Sequence, residues 1–319
     1  MVVDERSVTG GAYSSIVEAI GHTPLVEIGR MSPNPRVRLF AKLEAHNPTG
    51  SVKDRVARYL VDGLEKSGRL GPDSIILEPS SGNLGISLAM IARRKGYRVA
   101  IVLPDNATHE RRQMLALYGA EIIDSPGERG SNGAIEVARR LAERDPRFVM
   151  PYQYGNPLNP LAHYETTGAE IVADCPQVDV FIAGLGTGGT LMGAGRRLRE
   201  HNPGIRIYAA EPLPGEAVQG LRSLEEGFVP EIFDATQIDG KYLVTTAESI
   251  EALRLLTERE GIFAGVSSGG VLAAAMRICS ELESGTVVAL LADGGWKYLS
   301  EDVWKRDLSD ERLEALNLW

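Results

Sequence analysis

The stretch SIILEPSSGNLGISLAMIARRKGYRVAIVLP, residues 74–104, decides the fold. Two short apolar runs, SIILEP and YRVAIVLP, flank an amphipathic segment of helical period, with SSG ahead of it and a glycine behind it. A strand, a helix opening near Ile86 and a second strand in that order make a βαβ unit, whose crossover suits parallel strands. The same rhythm runs outward on both sides. Upstream stand VRLFAKLE and SVKDRVARYLVDGLEKSG. Downstream come HERRQMLALYGA, EIIDSP and NGAIEVARRLAERD, and then VDVFIAGLG, TLMGAGRRLREHNP, IRIYAAEP, SIEALRLLTEREG, GVLAAAMRICSELESG and TVVALLADGG. The expected fold is α/β, in two lobes that each hold a mostly parallel sheet with helices on both faces.

Length and composition agree with that division. At 319 residues the chain exceeds what one hydrophobic core usually organises, so two lobes sharing a cleft are expected. PYQYGNPLNP, residues 151–160, breaks the periodic pattern with three prolines, a glycine and two asparagines, and reads as a hinge or cleft wall. A formal charge of −9 argues against a general nucleic-acid surface, which needs clustered Lys and Arg. Cys175 and Cys279 are the only cysteines, far apart and outside any Cys-x-x-Cys spacing, which disfavours a disulfide framework or thiolate metal site. The acidic N-terminus lacks the layout of a signal peptide and no apolar run approaches spanning length, so a cytoplasmic protein without a membrane partner is expected, with residues 1–12 as a flexible leader.

Chemistry-bearing residues gather at strand-to-helix turns. In NPTGSVKDR, residues 47–55, Lys53 shares a helical face with Ala57, Leu60 and Leu64, so a helix packed on a sheet carries this lysine inward at its first turn. It is either a snorkelling surface lysine or an amine of lowered pKa suited to Schiff-base chemistry. SSGNLG, residues 80–85, is either an N-capping turn or an anion site for a carboxylate. GLGTGGT, residues 184–190, has four glycines in six residues and reads as a phosphate cup, since that much glycine weakens a helix start unless backbone must approach a ligand. FAGVSSGG (263–270) and LADGGWKYLS (291–300) are each more often plain turns, but all five lie where open α/β sheets place ligands.

Together, from GHTPLV (21–26) to KYLS (297–300), these motifs resemble the cysteine synthase family of fold-type II pyridoxal-phosphate (PLP) enzymes, a tryptophan synthase β-like fold. The resemblance implies PLP in the cleft, a larger phosphate-binding domain of residues 13–47 and 157–319, and a smaller mobile substrate-binding domain of residues 48–156. It implies that Lys53 holds the cofactor, that Asn83 faces its 3′-oxygen, and that Gly186, Thr187, Gly188, Gly189 and Thr190 hold its phosphate. Ser267 would face the pyridine nitrogen. Ser80, Ser81, Gly82 and Gln153 would bind the substrate carboxylate, with Leu84 standing where the family has threonine and able to offer only backbone.

GLRSLEEGFVP (220–230) and the ending LEALNLW look most similar to the O-phosphoserine-dependent M type of actinobacteria. There an arginine matching Arg222 meets the substrate phosphate; the alternative is a surface arginine paired with Glu225 or Glu226. The tail, residues 308–319 with Trp319 last, would dock in the amino-acid cleft, or fray, or touch a second subunit. The implied activity is L-cysteine synthesis by β-replacement on O-phospho-L-serine, or O-acetyl-L-serine, with sulfide or the thiocarboxylate of a small sulfur-carrier protein as donor, in a homodimer. A cystathionine β-synthase-like enzyme, an O-acetylserine-specific sulfhydrylase, an amino-acid lyase and a non-catalytic paralogue are the alternatives.

Overall fold

The computed structural model describes residues 12–80, 82–216, 218–225 and 228–301. Its elements run β1 (Leu25–Glu27), β2 (Val37–Leu43), α1 (Lys53–Lys66), β3 (Ile75–Pro79), α2 (Asn83–Lys95), β4 (Arg98–Pro104), α3 (His109–Leu117), β5 (Glu121–Ser125), α4 (Gly130–Arg144) and β6 (Phe148–Val149). Then come α5 (Leu158–Ala162), a π-helical turn (His163–Thr167), α6 (Gly168–Asp174), β7 (Val180–Gly184), α7 (Gly189–His201), β8 (Arg206–Pro212), β9 (Gly240–Val244), α8 (Thr246–Glu260), α9 (Val266–Glu281) and β10 (Gly285–Leu291).

The strands form two sheets, one of four strands in the order β5-β4-β3-β6 and one of six in the order β1-β2-β10-β7-β8-β9. Only β1 pairs antiparallel; the other neighbours are parallel. Residues 74–104 form the βαβ unit at the heart of the small sheet, with Ile75 opposite Arg98 and Pro79 opposite Val102. Its helix opens at Asn83, three residues ahead of the position expected from periodicity. The reason is local: Gly82 takes φ +146°, and Ser80 Oγ accepts the N–H groups of Gly82 and Gly85, each at 3.1 Å, which closes the first turn early.

Both sheets are covered on two faces, which is why their strands read as continuous apolar runs. On β10, Val287, Ala289 and Leu291 enter one core and Val288 and Leu290 the opposite one. α1 buries Val56, Ala57, Leu60 and Leu64 with Ile76, Ile101 and Leu103 of the small sheet, so the helix that carries Lys53 packs on that side. The helices of residues 158–174 are masked in the sequence by Pro157 and Pro160, which look like breakers; both stand at the helix start, where no N–H is needed. Both cysteines are buried. Among the described residues no helix is long and apolar enough to cross a membrane.

Candidate active site

The carboxyl ends of β3, β7 and β10 face one cavity of about 530 Å³. Lys53, Asn83, Thr190 and Ser267 line it, one from the first turn of each of α1, α2, α7 and α9. None of these four helices is capped by the side chain of its own N-cap residue, whereas α3 and α8 are capped by Thr108 and Thr245. Converging helix starts leave N–H groups and positive dipole ends turned toward the cavity, an arrangement suited to anions.

Lys53 stands half-buried at the start of α1, its backbone N–H donated to Ser51 Oγ at 3.1 Å. Burial pushes its amine down to about 8, while the Asp293 carboxylate pulls the other way. At that value a large share of the amine is neutral, and so nucleophilic and basic, in mildly alkaline solution. Lys53 lines the cavity from the helix that also buries Ala57, Leu60 and Leu64.

Beside it, Ser80 uses its hydroxyl oxygen to shape the turn, and Leu84 is buried in the small-sheet core, leaving only its backbone for a ligand. Gln153 enters from residues 151–160, which do form a cleft wall. Its position depends on Glu78, a carboxylate sealed at the end of β3 that accepts Tyr152 N–H at 2.9 Å and Gln153 N–H at 3.0 Å. Tyr152 is left-handed at φ +56°, a costly conformation for a bulky residue that the Glu78 contacts hold in place. Burial raises Glu78 to about 8 against the pull of those two donors.

The glycine turn after β7 wraps the opposite side. Gly188 has φ +85°, and a side chain at Gly189 would collide with Asn159 Oδ1, so neither position admits another residue without strain. Asn159 Nδ2 donates to Thr187 Oγ1 at 3.1 Å and to Gln153 O at 2.9 Å, tying the cup to the cleft wall. Thr190 Oγ1 lies 3.3 Å from His163 Nε2. Ser267 opens α9 with Gly220 pressed against it, a Cβ there falling 3.1 Å from its own.

At the mouth, the Arg222 guanidinium sits 4.4 Å from the Phe228 ring centre and 5.4 Å from that of Tyr154. Glu225 instead reaches Lys241 at 3.5 Å, and no carboxylate among the described residues pairs with Arg222. The floor is polar and buried. Asn83 Nδ2 donates to Asp293 Oδ2 at 2.7 Å, Lys297 Nζ donates to Asn83 Oδ1 at 2.8 Å, and Tyr298 O–H donates to Asp293 Oδ2 at 2.6 Å.

Ten of the fourteen residues singled out from sequence line this one cavity: Lys53, Ser80, Asn83, Leu84, Gln153, Gly186, Thr187, Thr190, Arg222 and Ser267. Gly82, Gly188 and Gly189 shape turns without lining it, while Ser81, residues 1–11 and the tail 308–319 lie outside the described residues. Glu78, Asp293, Lys297 and Tyr154 were not assigned roles. The one signal for Glu78 was a single charge at the end of an otherwise apolar strand.

Fold and site define an α/β protein whose converging helix starts surround a cavity lined by a lysine that burial pushes down in pKa. Residues 16–293 match the family model of pyridoxal-phosphate dependent enzymes, and the chain belongs to that family. It is 40% identical to cysteine synthase B of Pseudomonas aeruginosa over 92% of this chain and 98% of that protein. Among solved structures, O-ureido-L-serine synthase superposes with a TM-score of 0.87 at 38% identity, covering 94% of this chain and 97% of the other. Cysteine synthase from Entamoeba histolytica gives 0.88 at 34% identity over 98% and 97%. The residues present fit PLP: an amine lining the cavity, a glycine turn that admits no side chain at Gly188 or Gly189, and buried Thr187 and Thr190 at a helix start where a phosphate ester can sit.

Proposed function

We propose that this enzyme makes L-cysteine by β-replacement on an activated serine, with O-phospho-L-serine preferred over O-acetyl-L-serine. PLP, when bound, supplies an electron sink for the carbanion left by removal of the substrate Cα proton. Lys53 would hold it, with Gly186, Thr187, Gly188, Gly189 and Thr190 around its phosphate, Asn83 toward its 3′-oxygen and Ser267 toward its ring nitrogen. A serine cannot enforce a protonated ring nitrogen as a carboxylate would, which suits elimination at the β-carbon.

The protein's own groups do the rest. Lys53 Nζ, near neutrality at about 8, takes the proton from substrate Cα and returns it when the new bond to sulfur is complete. The turn of Ser80, Ser81, Gly82 and Leu84, joined by Gln153, holds the α-carboxylate with backbone N–H groups and the Gln153 amide. Arg222 meets the departing phosphate. Sulfur enters as a substrate, either sulfide or the thiocarboxylate of a small carrier protein, and the two buried cysteines take no part. We also read the enzyme as a cytoplasmic homodimer whose residues 48–156 move as a substrate-binding unit.

The observation that carries the phosphate preference is Arg222 at the cavity mouth, held between two aromatic rings and paired with no carboxylate among the described residues. A fixed guanidinium gains charge-assisted, bidentate hydrogen bonds from a phosphate dianion and little from a neutral acetyl group. The test is to compare kcat/KM for the two activated serines with sulfide as donor. A ratio favouring O-phosphoserine supports the reading, and a ratio favouring O-acetylserine defeats it. Borohydride reduction of the holoenzyme, followed by peptide mapping, must place the cofactor on Lys53.

A further inference from the structure

Lys297 is fully buried at 0% exposure, yet its ammonium makes no ion pair within salt-bridge distance among the described residues and donates to one side-chain amide, Asn83 Oδ1. Burying an ammonium is costly, and an apolar side chain of similar length would fill the space at less cost. Such a charge does not serve packing.

We infer that Lys297 is a positioning residue that, together with Asp293, locks the Asn83 amide so that it can present only an N–H to the cavity. An asparagine side chain has nearly the same shape either way round, and its neighbours decide which end faces a ligand. Here the decision is made twice. Lys297 can only donate, and it holds Oδ1 at 2.8 Å. Asp293 Oδ2, which already accepts the Tyr298 hydroxyl, accepts one Nδ2 hydrogen at 2.7 Å. A flipped amide would set N–H against ammonium and carbonyl against carboxylate, so both contacts would turn repulsive. What remains is the second Nδ2 hydrogen, and Asn83 lines the cavity.

The lock also spans the two sheets. Asn83 opens a helix of the four-stranded side, whereas Asp293 and Lys297 follow β10 of the six-stranded one. The segment is clasped to the small side by more than the amide: Thr108 Oγ1 donates to Lys297 O at 3.3 Å, and Glu110 accepts Ser300 N–H and O–H at 2.8 and 2.7 Å. Residues 293–300 thus carry a fixed donor into place by binding across the cleft. The other charged groups acting on Lys297 are Asp293, Asp54 and Arg111.

The inference rests on the reading that Asn83 faces the cofactor's 3′-oxygen, where a fixed donor keeps that oxygen anionic. Its test is a double-mutant cycle on the holoenzyme with Lys297→Met and Asn83→Ala, read by the pH titration of the bound cofactor's visible band. Lys297→Met alone should displace that titration by about one pH unit or more and release cofactor roughly tenfold faster. In the Asn83→Ala background it should add nothing. A folded Lys297→Met protein with an unmoved titration overturns the lock, as do additive effects. If that variant does not fold, Lys297→Gln goes through the same cycle, with a smaller displacement expected and the same non-additivity required. Borohydride fixation of the wild type comes first: its failure at Lys53 counts against the proposed function, whereas success there with an unmoved titration counts against the lock alone.

Discussion

Lys53 and Arg55 stand two residues apart at the start of one helix, and their surroundings are opposite. Arg55 is met on every side: Glu44 at 2.7 Å, Glu170 at 2.6 Å and Thr23 Oγ1 at 3.0 Å, with the sealed Lys42 reaching Glu170 at 2.9 Å. Burial works against the charges of Arg55 and Glu170, but the Arg55 hydrogen bonds and the two cations hold Glu170 down to about 2. Around the cavity the same burial goes largely unanswered. Lys53 and Lys297 are pushed down to about 8 and Glu78 is pushed up to about 8. A buried charge met by partners, such as Glu170, is held far from neutrality, and the buried charges around the cavity are left close to it.

Two substitutions on α1 should separate these roles most sharply. Lys53→Ala is expected to lower kcat by roughly 10⁴-fold while leaving the melting temperature of the cofactor-free protein unchanged or raised, since it removes a charge that burial disfavours. Arg55→Met should do the reverse. It leaves the sealed Glu44 without its cation and Glu170 with Lys42 alone, and should cost about 3–5 kcal/mol of stability in denaturant titrations, with per-molecule activity retained by whatever folds. A Lys53→Ala protein that melts far below the wild type would break the contrast.

Arg222 is the intermediate case, a charge without a carboxylate among the described residues but steadied by two rings. Arg222→Ala should reduce kcat/KM for O-phosphoserine about 10- to 100-fold, the range of a charge-assisted hydrogen-bond pair, and change that for O-acetylserine less than about threefold. Equal losses on both substrates would place Arg222 with the structural charges.

The same contrast explains what the sequence discloses. Lys53 was legible because it continues an apolar helical face, and the glycine cup because four glycines at a helix start demand a reason. Most strands were legible because alternation of strand and helix is a local pattern. β6 was not, since two residues carry no period, and neither was the knot, whose partners Glu44, Arg55 and Glu170 lie up to 126 positions apart (170 − 44) and meet only in the fold. Lys297 lies in LADGGWKYLS (291–300), but nothing local says that its ammonium is buried. Arg222 came from resemblance alone, because an arginine in a polar loop reads first as surface.

Glu78 offers the finest test, because its effect is a slope in pH. Its carboxyl has a folded pKa raised from 4.5 to about 8, so between those values the folded protein binds more protons than the unfolded chain. Stability from this group is therefore fully present below about 4.5 and falls as pH rises toward 8, by at most ~1.4 kcal/mol per pH unit. Lys53 and Lys297 act in a separate window: their folded pKa values are depressed from 10.5 to about 8, so their contribution rises with pH above 8. Chemical denaturation of the cofactor-free protein at pH 5, 6, 7 and 8, wild type against Glu78→Gln, isolates the first window. The wild type should lose ground to the variant steadily across the series. Because a glutamine can accept only one of the two N–H groups that Glu78 holds, the variant should also raise KM for the amino acid through Gln153 while leaving kcat nearly intact. A pH-independent difference between the two proteins would mean that Glu78 is ionised throughout, held like Glu170 by its donors, and the division between the pinned knot and the near-neutral cavity would lose its third member.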